Sequence, residues 1–299
     1  MSQLIVTANK LNKRKRIPTN FPDQTGIVGQ VLKNFTFNGI EVPTSQIPNQ
    51  ALGKWYQDGD QYYYWGGGVK IFQAPSKGLP ILNAPQHIPD DMPLSFNNTI
   101  KCTKWMMTHF RNDILTAVQD SPFDEYLVYA IACQETAQRW GLWIDDYDPS
   151  TVLKTCVFDA SGDFPDTYRK AFPKNKQDMI DKFGLEFTQQ LIDESNKMRA
   201  MPQPGRKEGY GPANYLYKGY GLFQYDLQHV VMNPNFFRNK GWYQFSECLK
   251  YLMIELTEKW KHSNQNYYTT VRSYNGSGSR AEAYAARVSQ FYTWIRNID

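Results

Sequence analysis

The sequence predicts two domains, a small all-β barrel at the N-terminus and a larger, mainly α-helical domain at the C-terminus. Short apolar or alternating runs separated by Gly, Pro and Asn turns fill residues 3–72, as in closely spaced strands. Prolines then crowd the chain, and from Thr103 the apolar residues recur at helical spacing. We therefore place the barrel at 1–73, a Pro-rich linker at 74–100 and the helical domain at 101–299.

Composition excludes several classes of protein. A chain of 299 residues can form two domains or one large one. Its net charge of +4 is too small to indicate a nucleic-acid partner. No apolar run approaches the roughly 20 residues that span a bilayer, so we expect no membrane span. The four cysteines and four histidines lack the spacing of metal ligands, so we expect no metal and no cofactor.

The expected strands of the barrel cover residues 4–7, 27–32, 35–37, 61–65 and 69–72. The basic segment 13–16 precedes Pro18 and is expected in an exposed, solvated loop. Contact of this loop with an anionic polymer is the alternative.

The expected helices of the second domain cover about 105–114, 122–140, 176–199, 243–262 and 280–295. For the second of these, Ser121 is a good N-cap, Pro122 suits the first helical position and Gly141 suits a left-handed C-terminal residue. This helix is almost wholly apolar, so it should be central and buried. Residues 145–172 are rich in turn formers.

Glu135 ends the apolar helix and shares one face with Leu127 and Ile131. A lone carboxylate there costs free energy unless it is protonated, paired or at a wet cleft. Such an environment raises a carboxyl pKa and suits a general acid. The alternative is an exposed glutamate at a fraying helix end, or one paired with Arg139.

Two later stretches alternate glycine with larger residues. The first is KGYGLFQYD at 218–226, where glycines permit a tight turn and Gln224 and Asp226 can direct polar groups into a cleft. The second is RSYNGSGS at 272–279, which is expected to open the last helix.

The N-terminal seventy residues resemble a bacterial Src-homology-3-like domain of the cell-wall-targeting kind. The points of resemblance are VTANKLNKR at 6–14 and WYQDGDQYYYWGGGV at 55–69. Such modules commonly accompany peptidoglycan hydrolases, so the resemblance implies a wall-associated protein.

Most of 120–299 resembles the lysozyme-like superfamily, above all soluble lytic transglycosylases and goose-type lysozymes. The resemblance rests on the order of Glu135, YGLFQYD at 220–226 and SYNGSG at 273–278. It implies a lysozyme-like domain. Residues 145–215 then form an insertion that walls, narrows or gates the cleft.

The same resemblance implies roles for individual residues. Glu135 would be the catalytic acid and base. Thr136, Tyr220, Gln224, Tyr274 and Asn275 would contact the substrate. Among them, Thr136 stands where the family usually has serine, Gln224 would line a sugar subsite, and Tyr274 would orient the carboxyl or stabilise developing charge. Asn275 would hold the turn or bind an N-acetyl group.

A second carboxylate is not settled by the resemblance. Goose-type enzymes have an aspartate shortly before the glycine motif, and Tyr215 occupies that position here. Hydrolysis needs a second acid, and Asp226 is the best-placed candidate by sequence. The insertion offers Asp145, Asp146 and Asp148 as alternatives. A lytic transglycosylase needs none, because the substrate's own 6-hydroxyl attacks while Glu135 serves as acid and then base.

The expected function is cleavage of the N-acetylmuramic acid–N-acetylglucosamine β-1,4 bond, as a lytic transglycosylase or muramidase. One alternative is a chitin-directed glycosidase. Another is a non-catalytic wall-binding or structural component of a phage-like or secretion machine. A cysteine peptidase is disfavoured because no Asp-Cys-Ser-Gly segment occurs.

Location and partners follow from the same interpretation. No secretory signal is visible at the N-terminus. We therefore expect action on the bacterial wall, in the periplasm or outside the cell, after lysis or machine-dependent delivery, as for an endolysin or effector. The expected partners are peptidoglycan glycan strands and an immunity or delivery-apparatus protein, and the protein is expected to be a monomer.

Overall fold

The structure is a computed structural model that describes residues 2–33, 35–71, 79–160, 163–164 and 167–298. The chain divides into two compact units, Met1–Gly78 and Leu79–Asp299. Residues 72 and 74–78, which belong to the predicted last strand and linker, lie outside the described residues.

The N-terminal unit is an antiparallel sheet. Its seven described strands are β1 Ser2–Val6, β2 Lys10–Arg14, β3 Ile27–Leu32, β4 Thr36–Glu41, β5 Trp55–Asp58, β6 Tyr63–Trp65 and β7 Val69–Ile71. They are ordered β3-β2-β6-β5-β4-β1-β7. The predicted all-β N-terminal unit is therefore confirmed. Among the described residues no ladder joins β3 to β7, so the sheet is not closed into the predicted barrel.

The prediction that residues 13–16 form a loop is wrong for the first half of that segment. Lys13 and Arg14 belong to β2, which pairs with β3. Arg14 is only 3% exposed, and its guanidinium donates to the carbonyl oxygens of Asp23 and Thr25. A segment of charged residues can form a strand when backbone carbonyl oxygens accept hydrogen bonds from its side chains.

The C-terminal unit is mainly helical, as predicted. Its described helices are α1 Phe96–Val118, α2 Glu125–Glu135, α3 Ala137–Trp140, α4 Pro149–Lys154, α5 Lys176–Phe183, α6 Leu185–Ala200, α7 Pro234–Arg238, α8 Phe245–His262, α9 Tyr267–Tyr274 and α10 Ser279–Arg296. A small antiparallel sheet, ordered β10-β9-β8, is formed by β8 Val157–Ala160, β9 Tyr217–Tyr220 and β10 Tyr225–Asp226. None of the described helices has the length and apolar character needed to cross a membrane.

Helix α2 lies at the centre of this unit, packed against α1 and α10. Every residue from Leu127 to Cys133 is buried. The predicted ends were wrong. Asp124, not Ser121, is the N-cap and accepts from the Leu127 amide, and the helix breaks at Thr136. Gly141 is right-handed, with φ −60°.

Close packing accounts for Gly141. A Cβ atom at this position would lie 2.5 Å from the Ala137 carbonyl oxygen and 2.7 Å from the Cys102 Sγ. The glycine therefore permits close approach of the chain and does not serve as a left-handed cap.

Two further boundaries differ from prediction. The predicted linker ends too late, because Ser95 caps α1 by accepting from the Asn98 amide and the helix begins at Phe96. Residues 79–95 belong to the C-terminal unit, where Leu82 and Leu94 enter its core. The predicted helix 176–199 is broken by Gly184, whose φ of 90° suits glycine.

Candidate active site

A cleft of about 640 Å³ opens in the C-terminal unit. Its lining includes the end of α2, strand β8, the turn between β9 and β10, helix α8 and the end of α9. The stretches around Glu135, 218–226 and 272–279 therefore meet at one place. Of the predicted site residues, the cleft is lined by Glu135, Thr136, Gln224, Asp226, Tyr274 and Asn275.

The turn 221–224 holds the elements of the cleft together. Thr136, where α2 ends, donates from Oγ1 to the Leu222 carbonyl oxygen at 3.1 Å. Tyr274, where α9 ends, donates from its hydroxyl to the Phe223 carbonyl oxygen at 3.0 Å. Hydrogen bonds to turn carbonyls satisfy backbone groups that would otherwise be buried and unpaired. Thr136 and Tyr274 thereby fix the turn beside Glu135.

Glu135 is half-buried at the last position of α2. Burial raises the pKa of its carboxyl group to about 7, and the charges of Glu255 and Asp159 act in the same direction. The Tyr284 hydroxyl opposes this shift by donating to Glu135 Oε1 at 2.5 Å. Arg139 donates to the Gln203 side chain, at 3.3 Å, and is not paired with Glu135. Near neutral pH this carboxyl group is partly protonated and can both give and accept a proton.

Tyr284, and not Tyr274, binds the catalytic candidate directly. The two tyrosine rings stack with centroids 6.2 Å apart. Burial raises the pKa of both phenols, and the nearby Glu135 carboxylate adds to the shift. Both phenols therefore remain protonated donors. Tyr284 lies on the helix predicted at 280–295, and its pairing with Glu135 spans 149 positions.

Gln224 is held in the turn by its own side chain. It has a positive φ of 53°, and its Nε2 donates to the Gly221 carbonyl oxygen at 2.8 Å. A Cβ atom on Gly219 would lie 2.1 Å from Gln224 Oε1. Because Gly219 has no Cβ atom, it leaves room for the Gln224 side chain in the wall of the cleft.

Tyr220 does not contact the cleft, contrary to prediction. It is 0% exposed, and its ring packs edge-on against Phe237 and Trp242. Neighbouring side chains alternate between the two faces of a strand, and Tyr220 points into the core. Thr136 is 2% exposed, so its hydroxyl serves the turn. Asn275 is exposed at the end of α9.

Asp226 lines the cleft but is already neutralised. Arg169, itself 9% exposed, donates to both carboxylate oxygens at 3.0 and 2.5 Å. Asp226 also accepts from the Gln228 amide. A bidentate guanidinium pair occupies lone pairs of both carboxylate oxygens. This arrangement disfavours Asp226 as a free nucleophile or base.

The aspartates at 145, 146 and 148 lie outside the cleft. Asp145 pairs with Lys101 at 2.5 Å, and Asp148 caps α4 through the Thr151 amide. Neither they nor Asp146 line the cleft. The alternative second acids at 145–148 are therefore not brought to Glu135.

Comparison with known proteins does not supply a family. No family model, curated protein or solved structure matches the chain.

Two acids of the cleft were missed from the sequence. Asp159 lies in β8 with a φ of 64°, and its carboxylate pairs with Lys218 at 2.8 Å. Glu255 lies on α8, where burial raises the pKa of its carboxyl group and Lys259 opposes the shift. Glu255 follows Leu252 by three positions and adjoins Leu256, so it sits beside the apolar face. The pattern that singled out Glu135 could therefore have found it.

Basic side chains also line the cleft. Arg139 and Lys259 contribute to its wall, and among the described residues neither has a carboxylate within ion-pair distance. In the described parts of the chain, no group of three or more His, Cys, Asp or Glu side chains is placed to hold a metal ion.

Proposed function

We propose that this protein cleaves the glycan strands of peptidoglycan at the N-acetylmuramic acid–N-acetylglucosamine β-1,4 bond, with Glu135 as the general acid. The observation that carries the proposal is the Glu135 carboxyl group, half-buried in a cleft and with its pKa raised to about 7. General acids are tuned in this way so that they carry a proton at the working pH.

The chemistry begins with protonation of the glycosidic oxygen by Glu135. As the bond to that oxygen breaks, Glu135 becomes a carboxylate. The Tyr284 hydroxyl, at 2.5 Å, then stabilises the negative charge. The proposed substrate is a long glycan strand. The volume of the cleft, about 640 Å³, is within the usual range of volumes for a ligand site.

Charge favours peptidoglycan over chitin as the substrate. N-acetylmuramic acid and its peptide stems carry carboxylates, whereas chitin is neutral. Acidic side chains also line the cleft, but Arg139 and Lys259 have no carboxylate within ion-pair distance among the described residues and are available to the carboxylates of an anionic ligand. The proposed fold of the unit is lysozyme-like, with 145–215 as an insertion.

The N-terminal sheet is proposed to be a divergent bacterial Src-homology-3-like module that binds the wall. Under this proposal the protein acts on the wall in the periplasm or outside the cell, after lysis or delivery by a secretion machine. An immunity or delivery protein would then be a partner.

A turbidity assay on purified peptidoglycan tests the proposed function. Wild type should clear the suspension, and Glu135→Gln should lower the rate at least about a hundredfold, because general acid catalysis contributes about 10²–10⁴. Glu208→Gln, at an exposed position, is the matched control and should keep the rate. Equal, negligible clearing by wild type and Glu135→Gln would favour a non-catalytic wall-binding protein. Faster release of soluble sugar from chitin than from peptidoglycan would favour the chitin-directed alternative.

A further inference from the structure

Four acidic side chains line the cleft, and only one of them is unpaired. They are Glu135, Asp159, Asp226 and Glu255. Lys218 pairs with Asp159, Arg169 pairs with Asp226, and Tyr284 donates to Glu135. Among the described residues, Glu255 has no hydrogen-bond partner and no cation within ion-pair distance, and only the charge of Lys259 on the same helix offsets the effect of its burial.

Glu255 lines the same cleft as the reacting carboxyl group, and its charge helps to raise the pKa of Glu135. It projects from α8 and Glu135 from α2, so the two carboxyl groups reach the cleft from different helices. The charges of both carboxyl groups raise the pKa of the Tyr274 and Tyr284 phenols. A half-buried acid without a partner costs free energy, and a role in catalysis explains why such a cost is tolerated at this position.

On the basis of the proposed function, we infer that Glu255 is the second carboxyl group of the reaction. It acts as the general base that takes a proton from the attacking water. Glu135 then has only the role of acid. This assigns hydrolysis, not transglycosylation, to the cleft.

The proposed step balances as a single displacement. The water oxygen bonds to C1 of the N-acetylmuramic acid as the bond from C1 to the leaving oxygen breaks. The water proton passes to the Glu255 carboxylate, and the Glu135 proton passes to the leaving oxygen. Exchange with solvent restores both groups. Attack from the face opposite the leaving group inverts the configuration, so the new end is an α-configured reducing sugar.

Glu255→Gln tests the inference, with Glu258→Gln on the same helix as the control. Glu258 is exposed and does not line the cleft. Using soluble uncrosslinked glycan strands, we expect kcat of Glu255→Gln to fall about a hundredfold or more with KM changed less than about threefold. Glu258→Gln should match wild type. Thermal unfolding of each variant shows whether it is folded.

Chemical rescue distinguishes a catalytic role of Glu255 from a structural one, because added azide cannot restore a lost structural contact. Sodium azide added to Glu255→Ala should restore turnover at least about tenfold and yield an α-glycosyl azide. Glu255→Asp, which keeps the carboxyl group, should retain more activity than Glu255→Gln if the alanine variant is unfolded. A β-glycosyl azide would overturn the role of base, because it reports a retaining reaction.

The product of wild type separates this inference from the proposed function. Reducing α-ends support the role of Glu255. Cleavage that requires Glu135 but forms 1,6-anhydro ends, or that persists within about threefold in Glu255→Gln, keeps the proposed function and overturns the inference. Absence of any cleavage by wild type removes both.

Discussion

At the scale of single residues, the behaviour of the cleft depends on how Glu135 is tuned. Burial and the charges of Glu255 and Asp159 raise the pKa of its carboxyl group, and the Tyr284 hydroxyl lowers it. The result, about 7, leaves the group able to hold a proton near neutral pH.

The pH dependence of cleavage should report Glu135. Only the protonated form can act as acid, so kcat/KM should fall as the pH rises through about 7. Tyr284→Phe removes a donor that favours the ionised form, so the falling limb should move to higher pH. Tyr268→Phe is the control, because its hydroxyl bonds to Glu282 outside the cleft. An unshifted limb in Tyr284→Phe would contradict the assigned hydrogen bond.

Glu135 should also destabilise the folded protein at neutral pH. Its folded pKa is raised from 4.5 to about 7, so between these values the unfolded chain is ionised while the folded protein holds a proton. Stability is therefore lost as the pH rises through this window, and the cost above it is roughly 3.5 kcal/mol at about 1.4 kcal/mol per pH unit. Glu135→Gln should stabilise the protein at pH 8 and much less at pH 4.

Urea unfolding at the two pH values measures this difference. Glu208→Gln serves as the matched control, because its carboxylate is exposed. A gain in Glu135→Gln that is equal at pH 4 and pH 8 would be inconsistent with a raised pKa.

At the scale of elements, the turn 221–224 organises the cleft. It joins β9 to β10, and it accepts hydrogen bonds from Thr136 at the end of α2 and Tyr274 at the end of α9. Its shape depends on Gly221, whose φ is 79°. The turn therefore links the ends of α2 and α9, which are remote from it in sequence, to the β9–β10 hairpin.

Gly221→Ala should destabilise the protein by about 2 kcal/mol or more. The alanine would be strained at a positive φ, and its Cβ atom would lie 2.5 Å from the Cys248 Sγ. Gly211→Ala is the control, since nothing lies within 4 Å of a Cβ atom there and its φ is not positive. Chemical unfolding of both variants decides the matter, and equal stability of the two would refute the assigned packing.

At the scale of the whole molecule, each unit has its own core. The buried cluster that runs from Leu82 to Ile295 lies within the C-terminal unit. Two smaller clusters, built around Tyr64 and Trp55, lie within the N-terminal unit. A unit with its own core can fold by itself.

A chain truncated to residues 79–299 should therefore unfold cooperatively and still cleave soluble glycan strands. A smaller fraction of the truncated chain should sediment with insoluble cell walls, because the proposed wall-binding sheet has been removed. Circular dichroism and a pelleting assay provide the measurements. Loss of the helical signal would show that the C-terminal core is incomplete without residues 1–78.

The sequence by itself determined the local features of this protein. The apolar period of 3.6 residues placed α8 and α10 within about two residues, and spacing of four placed Glu135 on a buried helix. Predictions from local sequence patterns were wrong where contacts with other parts of the chain determine the structure. Arg14 enters a sheet because carbonyls of Asp23 and Thr25 accept its donors, and Asp124 replaces Ser121 as the cap of α2.

Only the tertiary structure decided which acids face the cleft and which are paired. The donor to Glu135 comes from Tyr284, and the partner of Asp226 comes from Arg169, 57 positions away. No short-range pattern encodes such pairs, because the packing of whole elements brings them within hydrogen-bond distance. The pKa of Glu135 depends on the same packing, since burial and neighbouring charge are properties of the folded chain.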